Sequence, residues 1–306
     1  NILFQNRSVS YLQLSVFDVA EKKPLVALWN RKHYEEPVET VDLVFAFKLV
    51  LEKLFQAHSS PLFCDHLGTS IVKPFIGGLE NDTSVYFSSL KQKEGYVTAS
   101  SVFQSYGVID PYFMAALIID ETVRKVLAKG GSLDYLIGSE HVILHDLGES
   151  SVASLVRIYK AMMDYCNLYG ITLNIEKHAN PLLIQSVSSS VLFFSLVSQV
   201  NDIKTLVTFD FKQEGDSLYV LGETLDELGG SLYYQGLGFC GNTVPIVNYQ
   251  RHIESYKALS KALSLGLVHS VCEVTQGGLV GCLVRCCLAS GLGCDVNLAQ
   301  LFSLVP

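Results

Sequence analysis

The segment from Asp110 to Gly131 constrains the fold most, because it carries the signals for one helix from start to end. Asp110 is a residue type that caps helices, and Pro111 at the first helical position loses no needed hydrogen bond. An apolar face follows at helical spacing and ends at Gly130-Gly131; it consists of Ala115, Ala116, Ile119, Val123 and Leu127. We therefore predict a buried helix here.

The other elements are helices and strands in irregular order. Further helices are predicted from about residue 42, over 151–169, over 249–265, and after Gly277-Gly278. Strands are predicted over residues 25–29, 84–87, 191–200, 205–211 and 217–222. Because no regular β-α-β repeat occurs, we predict a mixed α/β protein of the α+β class rather than a doubly wound sheet.

Length and composition allow about two domains with a sizeable core, since the 306 residues are 49% apolar. The most apolar stretch, residues 191–196, is far shorter than the roughly 18 residues of a membrane span. The net charge of -8, with scattered basic residues, argues against a nucleic-acid surface. The chain does not begin with Met, so we expect a fragment, a processed chain or the ordered part of a longer one.

The eight cysteines include no CxxC pair, which indicates a reducing compartment and a cytoplasmic protein. Cys282, Cys286 and Cys287 lie at helical spacing in an apolar segment. Because Cys is among the residue types most often buried, we interpret them as core thiols rather than zinc ligands. The eight histidines lack a nucleophile signature nearby, and only His66 is kept as a possible base.

Two carboxylates stand where a hard metal ion could bind. Asp82 lies in a turn before a strand, and Glu121 lies beside the apolar face of the helix that begins at Asp110. Mg²⁺ usually takes one or two carboxylates together with phosphate oxygens, which suits this pair. The alternatives are an Asx-turn at Asp82 and a solvated helix face at Glu121.

Two glycine segments are candidates for phosphate binding. In Gly229-Gly230-Ser231, two residues without a Cβ let backbone N–H groups come close to a phosphate, and Ser231 adds a hydroxyl donor. Gly277-Gly278 begins a helix whose N-terminus favours an anion, and Glu273 lies just before it at a strand end. The alternatives are an ordinary turn and a structural entry to the helix.

In this order, the segments resemble formylglycinamidine ribonucleotide synthase, the glutamine-dependent ATP enzyme of purine biosynthesis, and specifically its second PurM-like half. The resemblance covers roughly residues 35–300. The motifs that carry it are Cys64 to Gly68 followed by Val72-Lys73-Pro74, Asn81-Asp82, Asp110-Pro111-Tyr112, Asp120-Glu121-Thr122-Val123-Arg124-Lys125, Asp226 to Ser231 with Tyr233, and Cys272 to Leu279.

The resemblance implies a PurM-like two-domain unit. Residues 1–59 form a preceding strand segment, linker and helix; residues 60–211 form an N-terminal sheet domain; and residues 212–306 form a C-terminal α+β domain. It also implies Mg²⁺ with ATP or ADP. The implied metal ligands are Asp82, Glu121 and Glu273. The implied nucleotide and phosphate contacts are Lys73, Lys125, Lys177, Gly229, Gly230, Ser231, Gly277 and Gly278.

Several positions depart from the family's motifs. Lys125 stands where the family has an Asn ligand, and a protonated Lys repels Mg²⁺. Cys272-Glu273 replaces His-Asp, Gln276 replaces an Asp, and residues 176–180 keep only Lys177 and Asn180 of the GKDS-x-N segment. We therefore predict that any nucleotide in this half is structural or that its site is impaired.

The implied reaction is ATP- and glutamine-dependent amidation of formylglycinamide ribonucleotide (FGAR) to the amidine (FGAM). The family's first half, with its catalytic histidine, and its glutaminase domain are not in these residues, so we assign no catalytic residue. The implied partners are a second PurM-like unit, either another copy or the missing half, and a glutaminase domain; nucleic acid and membrane are not expected. The alternatives are a non-catalytic PurM-like scaffold and a kinase-like relative such as selenophosphate synthetase.

Overall fold

A mixed β-sheet with two long helices on one face forms the centre of the protein. The computed structural model describes residues 2–4, 7–10, 26–38, 42–57, 83–87, 93–174, 182–183 and 189–297. The sheet contains β3 (Thr83–Phe87), β4 (Gly95–Val102), β5 (Leu136–Leu144), β6 (Thr172–Asn174), β7 (Leu182–Leu183) and β8 (Val191–Val200). A separate hairpin pairs β1 (Ile2–Phe4) with β2 (Arg7–Ser10).

The strand order is β3-β4-β8-β5-β6, with β7 also pairing β5. Strands β3, β4, β8 and β5 pair antiparallel, whereas β6 and β7 run parallel to β5. Burial alternates along β4 and β5, so one face of the sheet meets the core and the other faces outward. This α+β arrangement confirms the predicted fold class.

The predicted helix at Asp110 is confirmed and is the most buried helix described. Helix α3 (Pro111–Ala128) begins where the Asp110 side chain accepts hydrogen bonds from the amides of Tyr112 at 2.8 Å and Phe113 at 3.4 Å. Arg157 ties that cap to the neighbouring helix, with its guanidinium 2.6 Å from the Asp110 carboxylate. The start of α3 is therefore held by its own sequence and by a second helix.

The four other predicted helices also lie close to their predicted positions: α1 (Leu43–Ala57), α4 (Glu149–Tyr169), α6 (Tyr249–Ser264) and α7 (Gly278–Ser290). The short helices α2 (Ser105–Ile109) and α5 (Leu232–Leu237), and a 3-10 turn at Ile203–Thr205, were not predicted. Helices α3 and α4 cover the inner face of the sheet, and α1 packs on α5 and α7. No helix among the described residues is both long and apolar enough to cross a membrane.

Three predicted strands are wrong. Residues 205–211 make a single bridge between Thr208 and Ser270, and residues 217–222 and 26–29 form no strand. A strand needs a partner along its length, and within the described part of the chain these segments have no continuous ladder; the Leu28 amide, for example, donates to the Glu149 carbonyl at the start of α4. Conversely, strands β4 and β5 were not predicted. Burial alternates along both strands, but small residues such as Ser100 and Gly138 weaken the apolar pattern in the sequence.

The segment 26–38 contacts residues far along the chain rather than serving only as the predicted linker. The Asn242 amide group accepts from the Tyr34 amide at 2.8 Å and donates to Glu36 Oε1 at 2.9 Å. The Tyr34 hydroxyl group donates to the Val108 carbonyl at 3.2 Å. The division at residues 59 and 211 stays a prediction, since these contacts and the packing of α1 cross it.

Among the described buried carboxylates, Asp120 makes the most hydrogen bonds and ion pairs. Its side chain is 2% exposed and lies on α3. It accepts from Tyr169 of α4 at 2.5 Å and Tyr256 of α6 at 2.7 Å, pairs with Arg124 at 3.0 Å, and lies 3.2 Å from His252 Nδ1. Burial raises its pKa, but Arg124, His252 and the tyrosine hydroxyl groups outweigh this and lower the pKa to about 2.

We expect the Asp120 network to make folding acid-sensitive. In the folded protein the pKa of Asp120 is below its usual value, so the carboxylate stabilises the fold fully above about pH 4. This stabilisation of about 2 kcal/mol is lost as the pH falls through about 2. Asp120→Asn should cost about 3 kcal/mol at neutral pH, since it leaves Arg124 without its carboxylate, and should flatten the acid dependence. Chemical denaturation from pH 7 to pH 2 measures both effects.

The matched control for this prediction is Asp164→Asn. Asp164 also pairs with a basic residue, Lys160 at 2.9 Å, but the two side chains are 38% and 66% exposed. Its replacement should therefore cost less than about 1 kcal/mol. Equal losses for the two variants would contradict a special role for the buried network.

Candidate functional site

Glu121 and Lys125 form a buried ion pair one turn apart on α3. Glu121 Oε1 lies 2.8 Å from Lys125 Nζ, and each side chain is 5% exposed. Ser101 of β4 donates its hydroxyl hydrogen to the same carboxylate oxygen at 3.1 Å, and Lys125 donates to the Ser100 carbonyl at 2.9 Å. The pair is therefore fixed between α3 and the end of β4, and the solvated alternative for Glu121 is wrong.

The position of the pair follows from the local sequence. Residues three or four apart on a helix share one face, so Glu121 and Lys125 lie on the same face as Ile118, and both side chains contact the end of β4. Tyr106 of α2 borders the pair: its pKa is raised to about 12 by burial first and by the charge of Glu121 second. Its phenol therefore stays protonated across the physiological range.

This pairing changes what the carboxylate can do. A Mg²⁺ ion that used Glu121 would have to displace Lys125, and a buried charge that loses its partner costs about 3–5 kcal/mol. The carboxylate of Glu121 is therefore a suitable type of ligand for Mg²⁺, but it is already paired with the ammonium group of Lys125. The fit to Mg²⁺ at this position is poor for as long as Lys125 is protonated.

The Gly229-Gly230-Ser231 turn lies next to this pair. Gly230 has φ 71°, and a Cβ there would come within 2.6 Å of the Tyr106 ring, so the turn packs directly on α2. The Gly229 amide donates to the Thr243 carbonyl at 2.7 Å, and the Gly230 amide donates to the Cys240 carbonyl at 2.7 Å. In this conformation neither amide can donate to a phosphate.

Ser231 adds to the same turn. Its side-chain oxygen accepts from the Tyr234 amide at 3.1 Å and caps α5. Its hydroxyl hydrogen is the one donor of the predicted cradle that these bonds leave for a ligand. Phosphate binding by the Gly229-Gly230-Ser231 turn stays a prediction, with this hydroxyl group rather than the glycine amides as its support.

The third predicted segment, residues 272–279, also docks on α3. Arg124 extends from α3 and donates to the Val274 carbonyl at 2.7 Å. Glu273, 7% exposed, lies 3.7 Å from the Arg285 guanidinium of α7. Gly277 caps α7 at φ 84°, and Gly278 follows at φ 60°. A second candidate carboxylate is thus also paired with a basic side chain.

The structure therefore gathers much of the predicted site in one region. Glu121 and Lys125 touch each other, the Gly230 turn reaches them through Tyr106, and the Glu273 loop reaches α3 through Arg124. Lys73, Asp82 and Lys177 lie outside the described residues, as does His66. Their roles stay predictions, and so does the complete metal site that would need Asp82.

Sequence reasoning missed the two arginines that engage this region. Arg124 was visible as the Arg of the DE-x-x-R motif, and Arg285 as the one charged residue within the apolar stretch 278–290. A lone Arg on an apolar helix is itself a signal, because charged residues are rarely buried without a partner. Glu273 is the partner here.

A different set of side chains converges in the way that a metal site requires. Among the described residues, the one group of three close enough to share an ion is Cys272, Cys282 and Cys286. Cys282 and Cys286 are buried, as predicted for core thiols. Cys287 is not part of this group and lies instead 3.6 Å, sulfur to sulfur, from Cys294.

Comparison with known proteins places these features in a family context. Residues 213–305 match the family model described as AIR synthase related protein, C-terminal domain. The PurL subunit of phosphoribosylformylglycinamidine synthase from Thermococcus sibiricus is 25% identical over 310 residues, which covers 93% of this chain. The PurL subunit from Wolinella succinogenes is 36% identical over 101 residues, or 31% of this chain.

The fold agrees with the sequence comparison. A Thermotoga maritima PurL structure, described as complexed with FGAR, superimposes on 76% of this chain with a TM-score of 0.59 at 15% identity. This chain covers 37% of that structure's chain and 40% of the Thermococcus sibiricus protein. By sequence and by fold, the chain is therefore similar to a PurM-like half of phosphoribosylformylglycinamidine synthase.

Proposed function

We propose that this chain is a PurM-like half of a phosphoribosylformylglycinamidine synthase in which the nucleotide site is structural or impaired. The whole protein would carry out the ATP- and glutamine-dependent amidation of FGAR to FGAM, with the catalytic groups in other parts of it. The buried pair of Glu121 and Lys125 is the observation that carries the second half of this proposal.

Basic side chains of the protein itself occupy the positions next to the candidate metal ligands. A productive Mg²⁺–nucleotide site needs several carboxylate or amide oxygens around the ion. Here Glu121 holds Lys125 at 2.8 Å and Glu273 lies 3.7 Å from Arg285. Both carboxylates are thus already paired with basic side chains, which makes them less available to Mg²⁺. This pairing favours a role without Mg²⁺-dependent turnover in this half.

Lys125 could replace part of the metal's role. Its ammonium group could contact a phosphate directly, which predicts weak nucleotide binding that does not need Mg²⁺. The second candidate function, a PurM-like scaffold without turnover, is favoured by the same ion pair and by the commitment of the Gly229 and Gly230 amides to main-chain carbonyls. Nucleotide binding by the chain separates the two functions, because a structural or impaired site would still bind ATP or ADP, whereas a scaffold would bind neither.

A partner unit would bind the outer face of the sheet. This face presents Tyr86 beside Tyr96 on neighbouring strands and Ile137 beside Val197, and all four are at least 36% exposed. No helix among the described residues packs on it, whereas the inner face is covered by α3 and α4. A contiguous exposed apolar patch is typical of an interaction surface. We infer that a second PurM-like unit binds here.

Lys125→Asn should strengthen Mg²⁺-dependent ATP binding by on the order of tenfold, because it frees Glu121 from its cation and supplies an amide oxygen. Calorimetry with and without Mg²⁺ measures this change. The control is Lys160→Asn, which removes another i,i+4 ion pair in an exposed position and should leave binding unchanged. Tight Mg-ATP binding with steady turnover in the unaltered chain, insensitive to Lys125→Asn, would contradict an impaired site.

Ile137→Lys should weaken pairing through the sheet by about tenfold or more, because it puts a charge at the centre of the proposed contact. Sedimentation equilibrium of the chain, alone and mixed with the remainder of the full protein, measures this. Leu267→Lys is the control, since Leu267 is 71% exposed and follows α6 away from the sheet. If both variants associate like the unaltered chain, the outer face is not the interface.

A further inference from the structure

Three cysteine sulfur atoms converge beside α7. The Sγ atoms of Cys272, Cys282 and Cys286 all lie within 4.8 Å of one another. Cys282 also directs its sulfur to the Cys272 carbonyl at 3.8 Å. Two sulfurs of a tetrahedral Zn²⁺ site lie about 3.8 Å apart, given Zn–S bonds of about 2.3 Å. Small rotations of the side chains would therefore bring the three sulfurs to bonding distance of one ion.

Helix α7 and the loop before it hold these sulfurs in place, and contacts from distant parts of the chain fix the loop. Cys282 and Cys286 lie one turn apart on α7 and so share a face. Cys272 follows the bridge between Thr208 and Ser270, and the loop after it turns at Gly277, whose φ of 84° suits glycine. The loop therefore folds back and sets Cys272 against α7.

The surroundings suit a bound soft cation. Cys282 and Cys286 are 7% and 3% exposed and pack with Phe209 and Phe211, while Cys272 is partly exposed. Arg285 lies over the Phe209 ring at 5.3 Å and also pairs with Glu273 at 3.7 Å, so the charge that borders the cluster is shared with that carboxylate. Three thiolates bound to one ion carry a net negative charge, which the guanidinium group offsets only in part.

Simple core packing accounts less well for the cluster. A buried Cys is common as a small apolar residue, and Cys166 in the main core is one that belongs to no group of three possible ligands among the described residues. Here three sulfur atoms converge, one from a loop and two from adjacent turns of a helix. This arrangement is typical of a set of metal ligands. Thiolate ligands select Cu⁺ and Zn²⁺ over hard ions such as Mg²⁺.

We propose that Cys272, Cys282 and Cys286 bind one thiophilic metal ion, Zn²⁺ or Cu⁺, through three thiolate sulfurs. Cu⁺ would be satisfied by the three sulfurs, and Zn²⁺ would take a water molecule as a fourth ligand on the side of Cys272, the most accessible of the three. The ion would tie the loop that carries Glu273 to α7. This site shares the loop of Glu273 with the predicted nucleotide site, but sulfur ligation of a metal ion can be measured whether or not a nucleotide binds or the proposed reaction occurs.

The test is metal binding by the full chain, purified under reducing conditions and stripped of metal. Zn²⁺ and Cu⁺ are titrated separately, with Mg²⁺ as the hard-ion comparison. We expect one Zn²⁺ or Cu⁺ per chain, sulfur ligation in X-ray absorption spectra, and a raised melting temperature with the bound ion. Cys282→Ser and Cys272→Ser should each weaken binding more than about 100-fold, since losing only an outer-shell partner typically costs 10–100-fold.

The matched control is the double variant Cys287→Ser with Cys294→Ser. It removes two cysteines from the same region, whose sulfurs lie 3.6 Å apart, and leaves the three proposed ligands intact. Binding that persists in this control but falls in Cys272→Ser supports the site. Cys272→Ser also guards against a folding defect, because Cys272 is less buried than Cys282 and Cys286. The proposal is overturned if neither ion binds at one per chain, or if the control loses binding as the ligand variants do.

Discussion

The burial of three charged side chains on one helix is the constraint on which the rest of this structure depends. The side chains of Asp120, Glu121 and Lys125 on α3 are no more than 5% exposed, and the partly buried Arg124 extends from the same turn. A buried charge without a partner costs several kcal/mol, so each one needs a partner in a defined place. The partners come from α4, α6, the end of β4 and the loop at Val274. The positions of these elements are therefore coupled through α3.

The same pairing limits the chemistry of the region. A carboxylate that satisfies its charge within the protein stabilises the fold and is less available to an external cation. Lys125 and Arg285 each supply that internal charge, to Glu121 and to Glu273. This internal pairing is the physical reason for our proposal that turnover occurs outside this half of the enzyme.

The glycine and cysteine motifs show how far a motif depends on its surroundings. The amides of Gly229 and Gly230 have the freedom that phosphate binding needs, yet they meet the carbonyls of Thr243 and Cys240. The cysteines of α7 have ordinary helical spacing, yet the folded-back loop brings Cys272 to them. In both cases the backbone path, rather than residue type, decides what each group contacts.

The sequence by itself determined the helices with strong local signals. The cap at Asp110, the stop at Gly130 and the glycine that ends α4 all act within a few residues, so local physics suffices. The motif order also predicted that Glu121, Gly230 and the Glu273 loop belong to one region. The false strand over 205–211 shows the limit, because a strand exists only where a partner meets it. The i,i+4 spacing within α3 already places Arg124 beside Asp120 and Lys125 beside Glu121. The pairing of Glu273 with Arg285 and the convergence of Cys272 on the sulfurs of α7 were decided by the tertiary structure alone, since those contacts join a helix to a loop whose path the sequence spacing does not specify.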